Sequence, residues 1–154
     1  MSAGLISRVL QKAPPKAYLG RRYHISASHR LHSNAYTDEE NRATYGKCNN
    51  PHGHGHNYVI EVVVSGQVDA ATGMVCDLVK LDAFARKEII ERFDHMNLNI
   101  LEGFSNLVPT SENLCIELHT IFERGYKGAH IEYVRVLETA NNAFEYAGAG
   151  DPAE

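Results

Sequence analysis

The chain has 154 residues, 44% of them hydrophobic and 22% charged, which suits one domain with a real core and is too short for two. A net charge of −4 argues against a sequence-independent grip on nucleic acid, and no apolar run approaches the ~20 residues that span a bilayer. Three cysteines, Cys48, Cys76 and Cys115, do not make a disulfide framework and point to a reducing, cytoplasmic setting; the unusual count is nine histidines.

Residues 1–17 carry Arg8, Lys12 and Lys16 but no acid, the first acidic residue being Asp38. They read as a flexible basic tail broken at Pro14-Pro15, with a weak transit peptide, and hence a mitochondrial address, as the lesser alternative. Residues 18–154 read as a single domain. From Arg21 to His32 the chain alternates, with Tyr23, Ile25, Ala27, His29 and Leu31 in one phase, which predicts a strand. The polar stretch from Ser33 to Gly53 is expected to be a long functional loop. A second strand follows from about His54 to Ser65, pairing with the first as a wide antiparallel hairpin.

Asp77 is placed to cap a helix whose apolar positions Leu78, Leu81, Ala85, Ile89, Phe93 and Met96 recur every three or four residues. After Pro109, Thr110 or Ser111 can cap a second helix, with Leu114, Leu118, Ile121 and Phe122 on one stripe and Gly125 as its stop. The last hairpin runs from His130 to Thr139 and from Ala143 to Ala147. The order β-β-α-α-β-β predicts an α+β fold: an antiparallel sheet with both helices on one face.

His54-Gly55-His56 is the sharpest local signal, because residues i and i+2 of a strand point the same way and aim two imidazoles at one place. His29 is the in-phase candidate on the partner strand, whereas His24 and His32 fall on the other face. Three histidines suit a zinc ion with a fourth position open for water or substrate; the bland alternative is a set of surface histidines beside a polar loop. Cys48, next to Lys47, is a candidate thiolate base or nucleophile, or else a fourth, structural ligand. Asp94-His95, at a helix end, can be an acid/base pair or simple capping. Glu138, in phase with Val134 and Val136, sets a carboxylate on an apolar strand face, so an internal partner or a ligand with adjacent N–H groups should meet it. The run Pro109-Thr110-Ser111-Glu112-Asn113 is a helix start whose donors could also face a ligand.

Ser26-Ala27-Ser28-His29-Arg30-Leu31-His32-Ser33, Gly46-Lys47-Cys48-Asn49-Asn50-Pro51, His54-Gly55-His56-Asn57-Tyr58, Asp94-His95-Met96-Asn97-Leu98 and Thr110-Ser111-Glu112-Asn113 together resemble the 6-pyruvoyl-tetrahydropterin synthase family of animal type, over about Arg21 to Ala147. The resemblance implies the tunnelling fold, a four-stranded antiparallel sheet with two helices on one side. It also implies a barrel closed by three subunits and a homohexamer made as a dimer of trimers, with active sites at subunit interfaces. It maps zinc ligands onto His29, His54 and His56, a catalytic base onto Cys48, its partners onto Asp94 and His95, and a pterin anchor onto Glu138. Thr110, Ser111 and Glu112 match a segment that helps hold the pterin ring. The implied reaction is a lyase step of tetrahydrobiopterin synthesis, from 7,8-dihydroneopterin triphosphate to 6-pyruvoyl-tetrahydropterin and inorganic triphosphate. The residues that meet the triphosphate are not fixed by motif, Lys47 and Arg30 being only the nearest cations.

Two rivals stand beside this. A sister on the same scaffold, 6-carboxy-tetrahydropterin synthase, resembles a pattern with three residues between Cys and HGH, whereas five intervene here. A non-catalytic histidine zinc module would leave Cys48, Asp94-His95 and Glu138 idle.

Overall fold

The computed structural model describes residues 13–149. Strand β1 (Lys16–His29) pairs antiparallel with β2 (His54–Gln67) along its whole length, from Lys16 opposite Gln67 to His29 opposite His54. The alternation read in the sequence fixes the register: Tyr23, Ile25, Ala27 and His29 are buried on β1, and Tyr58, Ile60 and Val62 on β2. β2 also pairs with β4 (His130–Leu137), which turns back into β5 (Ala143–Tyr146). A bulge at Glu132 lets Ile131 and Val134, three residues apart, both face the core.

Asp77 Oδ1 accepts from Lys80 N–H at 3.1 Å and starts α2 (Leu78–Ala85), which continues through a wide π turn (Arg86–Ile90) into α3 (Glu91–Phe93). Leu81, Ala85, Ile89 and Phe93 keep a spacing of four and are all buried. Thr110 Oγ1 accepts from Asn113 N–H and caps α4 (Ser111–Gly125), which buries Leu114, Leu118 and Phe122 in the same core. The helices meet closely at Gly125, where a Cβ would lie 2.6 Å from the Phe84 ring.

Four expectations are corrected. Among the described residues the sheet has five strands, not four, in the order β3-β1-β2-β4-β5, and it is mixed. The added strand, β3 (Met96–Asn97), runs parallel to β1 at Ala27 and Ser28, so Met96 is sheet edge and the helical run stops at Phe93. The stretch from Ser33 to Gly53 is not a bare loop: α1 (Asp38–Tyr45) is held by a capping box between Thr37 and Glu40, and a 3₁₀ turn (Gly46–Asn49) follows. The first strand begins at Lys16, inside the segment read as a tail; residues 1–12 of that tail lie outside the described residues.

Asn41, fully buried, organises this connection by exchanging hydrogen bonds with both Ser33 backbone groups, at 2.7 and 2.9 Å. Among the described residues no helix is long and apolar enough to cross a membrane.

Candidate active site

β1 ends at His29 and β2 begins at His54, so strand pairing brings the two residues face to face, with His56 next on the same side. One ring nitrogen from each of His29, His54 and His56 lies within 4.8 Å of the others. His29 Nδ1 faces the Pro109 carbonyl at 2.8 Å. A carbonyl only accepts, so this contact assigns the proton to Nδ1 and leaves the Nε2 lone pair facing the cluster. His29 Nε2 and His54 Nε2 are 3.1 Å apart, close to the ~3.3 Å expected of two nitrogens on one tetrahedral zinc. Among the described residues His56 Nε2 and His54 Nδ1 are buried without a hydrogen-bond partner. Burial pushes His29 and His54 below the ordinary imidazole range, which favours the neutral, ligating form. The donor set therefore fits a metal ion that accepts three imidazoles. Close backbone approach allows it: Gly53 has φ 71°, and a Cβ there would sit 3.0 Å from the His29 carbonyl oxygen.

Glu138 Oε1 faces the cluster, 3.4 Å from His56 Nε2 and 3.8 Å from His29 Nε2, the nitrogen that carries the lone pair. Cys48, half-buried on the 3₁₀ turn, is tied to the end of β1, its carbonyl accepting from Leu31 N–H at 2.9 Å. Tyr58 is fully buried, with its hydroxyl 3.4 Å from His29 Nδ1. Burial raises the phenol well above its ordinary value, and Glu138 adds to this while the Ser111 hydroxyl opposes it. Thus His29, His54, His56, Cys48, Glu138 and the Pro109-to-Ser111 segment share one end of the sheet.

His95 lines one hollow of about 490 Å³ together with His56, but among the described residues neither it nor Asp94 forms a hydrogen bond or ion pair with that group. Asp94 Oδ1 accepts from Ser26 N–H at 2.7 Å and Oδ2 lies 2.9 Å from His95 Nδ1, so the Ser26 bond first and His95 second hold the carboxyl below its usual range. His95 sits at φ 58°, a conformation that costs a side-chain-bearing residue energy and turns the chain into β3. Its side chain is 81% exposed. Among the described residues neither Asp94 nor His95 bonds to Cys48 or Glu138. Glu112 is exposed and forms no ion pair among them.

Residues 18–149 match the family model described as 6-pyruvoyl tetrahydropterin synthase. The chain belongs to this family. It is 41% identical over 134 residues to the 6-pyruvoyl tetrahydrobiopterin synthase of Homo sapiens, covering 86% of this chain and 92% of that one. With the protein of the same name from Drosophila melanogaster it shares 42% over 136 residues, 87% and 81% of the two chains. The solved structure of Caenorhabditis elegans 6-pyruvoyl tetrahydropterin synthase superposes with a TM-score of 0.85 at 39% identity, covering 90% of this chain and 99% of that chain.

Three groups at this synthase-family site were missed from sequence. Tyr58 has the phase of His56 and could have been found by that signal. The Pro109 carbonyl orients His29 from 80 residues away and leaves no sequence trace. Asn49, 6% exposed, donates from Nδ2 to the Leu31 carbonyl at 2.7 Å and to His32 Nδ1 at 3.2 Å, stitching the Cys48 turn to the end of β1.

Proposed function

We propose that this chain converts 7,8-dihydroneopterin triphosphate into 6-pyruvoyl-tetrahydropterin and inorganic triphosphate, in tetrahydrobiopterin synthesis, with zinc held by His29, His54 and His56. The observation that carries this is the convergence of three imidazoles, with Glu138 beside them and the Cys48 turn tied to the end of β1, in a member of this family. The bound ion would supply Lewis acidity, making the C–H bonds next to the substrate's side-chain hydroxyls easier to deprotonate.

Cys48, as thiolate, removes a carbon-bound proton from the side chain. The electron pair enters the ring imine, protons return to the ring, and the side chain is oxidised as the pterin is reduced. No nicotinamide is needed, because oxidant and reductant are parts of one molecule; the triphosphate leaves with its bonding pair. Glu138 accepts from the 2-amino and N3–H groups of the pterin, and Thr110, Ser111 and Glu112 help hold the ring. His95, oriented by Asp94, serves as the second acid/base.

Its exposure and outward placement fit a site completed by another copy of the chain, in a homohexamer built as a dimer of trimers. β3 covers only Ala27 and Ser28 of the outer edge of β1, and β5 is the opposite edge, so both edges can pair between subunits. A cytoplasmic location completes the proposal.

Cys48→Ala tests the base. Turnover is expected to fall by ~10² to 10⁴ with bound metal unchanged. Loss of metal would make Cys48 a ligand, and unchanged turnover would remove it from the chemistry.

A further inference from the structure

The connection between β1 and β2 holds a cationic hollow that the steps above leave unused. Its volume is about 280 Å³, and Arg30, Arg42 and Lys47 line it against a single carboxylate, Asp38, with Asn49 and Asn50 in the wall. Three cations around one small concavity are out of character for a chain of net charge −4. None of the three forms an ion pair among the described residues, although Arg21, Arg22, Arg92 and Arg135 all do.

Arg30 is held in place. Asn99 grips its backbone on both sides, accepting from Arg30 N–H at 2.7 Å and donating to its carbonyl at 2.8 Å. Its Nε donates to the Asn49 carbonyl at 3.1 Å, which leaves the two terminal guanidinium nitrogens for a ligand. A planar, fixed guanidinium suits phosphate oxygens, and an ordered cation loses little freedom on binding.

The hollow also lies at the right end of the molecule. Arg30 directly follows His29, Lys47 directly precedes Cys48, and residues 30–53 all emerge where β1 ends and β2 begins, at the histidine cluster. Arg30 is the wall shared with a second hollow of about 500 Å³ that extends to Pro109, whose carbonyl orients His29. Arg30 lines both hollows and so joins the Pro109 side to Arg42 and Lys47.

We infer that Arg30, Arg42 and Lys47 form a polyphosphate cradle that takes the triphosphate chain of the substrate while its ring lies at the histidine cluster. This rests on the reaction proposed above. The cations would also stabilise charge on the departing triphosphate.

The test uses the full-length, metal-loaded protein, with inorganic triphosphate as the calorimetric probe and 7,8-dihydroneopterin triphosphate as the kinetic one. Arg42→Ala is expected to weaken triphosphate binding about tenfold and to raise KM about as much. Arg42→Lys should restore most of both, and Asp38→Asn should tighten binding by removing the opposing charge. Affinity for unphosphorylated 7,8-dihydroneopterin should stay at the wild-type value in all three variants, which shows that the fold and ring site are intact. Triphosphate binding equal in wild type and Arg42→Ala would overturn the cradle. Weakened triphosphate binding with unchanged KM would assign the hollow to free polyphosphate and overturn its role for the substrate. Triphosphate bound through Arg42 by a protein that leaves the pterin substrate unconverted would overturn the reaction and keep the cradle.

Discussion

Replacing Asn49 with alanine would loosen the thiol-bearing turn without touching a metal ligand. The side chain is 6% exposed, and its Nδ2 donates to the Leu31 carbonyl at 2.7 Å and to His32 Nδ1 at 3.2 Å; the tie from Leu31 N–H to the Cys48 carbonyl remains. Losing the short bond and leaving the carbonyl partly unsatisfied costs about 2 kcal/mol, which in a domain of this size lowers Tm by roughly 4–8 °C. The freed turn lets the thiol drift, and a displacement near 1 Å costs up to ~10²-fold in rate. The expected variant therefore has kcat reduced ~10- to 100-fold, little change in KM and full metal content. Thermal melts, steady-state kinetics and the rate of Cys48 alkylation read this directly, because Cys76 and Cys115 are buried and react slowly. Asn49→Asp should be worse than alanine, since it lacks both donors and turns a carboxylate toward a carbonyl. A variant whose Tm falls as expected while kcat and alkylation stay at wild-type values would refute the positioning role.

Three further outcomes follow from the same geometry. Gly53→Ala forces a side chain into φ 71° and 3.0 Å from the His29 carbonyl oxygen; a cost of about 1–3 kcal/mol and a drop in bound metal are expected by melting and metal analysis, and a fully loaded variant of wild-type Tm would contradict the close approach. Asp94→Asn keeps an acceptor for Ser26 N–H but removes the charge beside His95, so turnover should fall tenfold or more, roughly, with Tm nearly unchanged; full activity would remove Asp94 from proton transfer. His119 is buried, its Nε2 has no partner among the described residues, and burial lowers its pKa with Glu123 opposing. Its contribution to stability is therefore complete above the unfolded value of about 6.5 and is lost as pH falls toward the depressed folded value. His119→Phe should accordingly shrink the loss of Tm between about pH 7.5 and pH 5, and an unchanged loss would assign acid sensitivity elsewhere.

Period-two alternation made the central hairpin legible, because one face of β1 and β2 is buried and a one-residue slip would expose every side chain of it. The same alternation put His29, His54 and His56 in one phase, and the cost of an unpaired carboxylate singled out Glu138, which faces them. What escaped is non-local or short. β3 has two residues and exists because His95 turns the chain against the edge of β1, which no periodicity records. α1 is only eight residues long and polar enough to pass for loop, although the Thr37-to-Glu40 spacing is a capping-box signature that could have revealed it. The wide turn at Arg86–Ile90 preserves the four-residue spacing of buried positions, so it left the helix pattern intact and remained invisible.

One incubation decides whether the reaction occurs: zinc-loaded protein with 7,8-dihydroneopterin triphosphate, without oxygen, and the products identified by mass. Conversion to 6-pyruvoyl-tetrahydropterin and inorganic triphosphate is the predicted result. Formation of 6-carboxy-tetrahydropterin and acetaldehyde, or recovery of unchanged substrate from fully loaded protein, would contradict it.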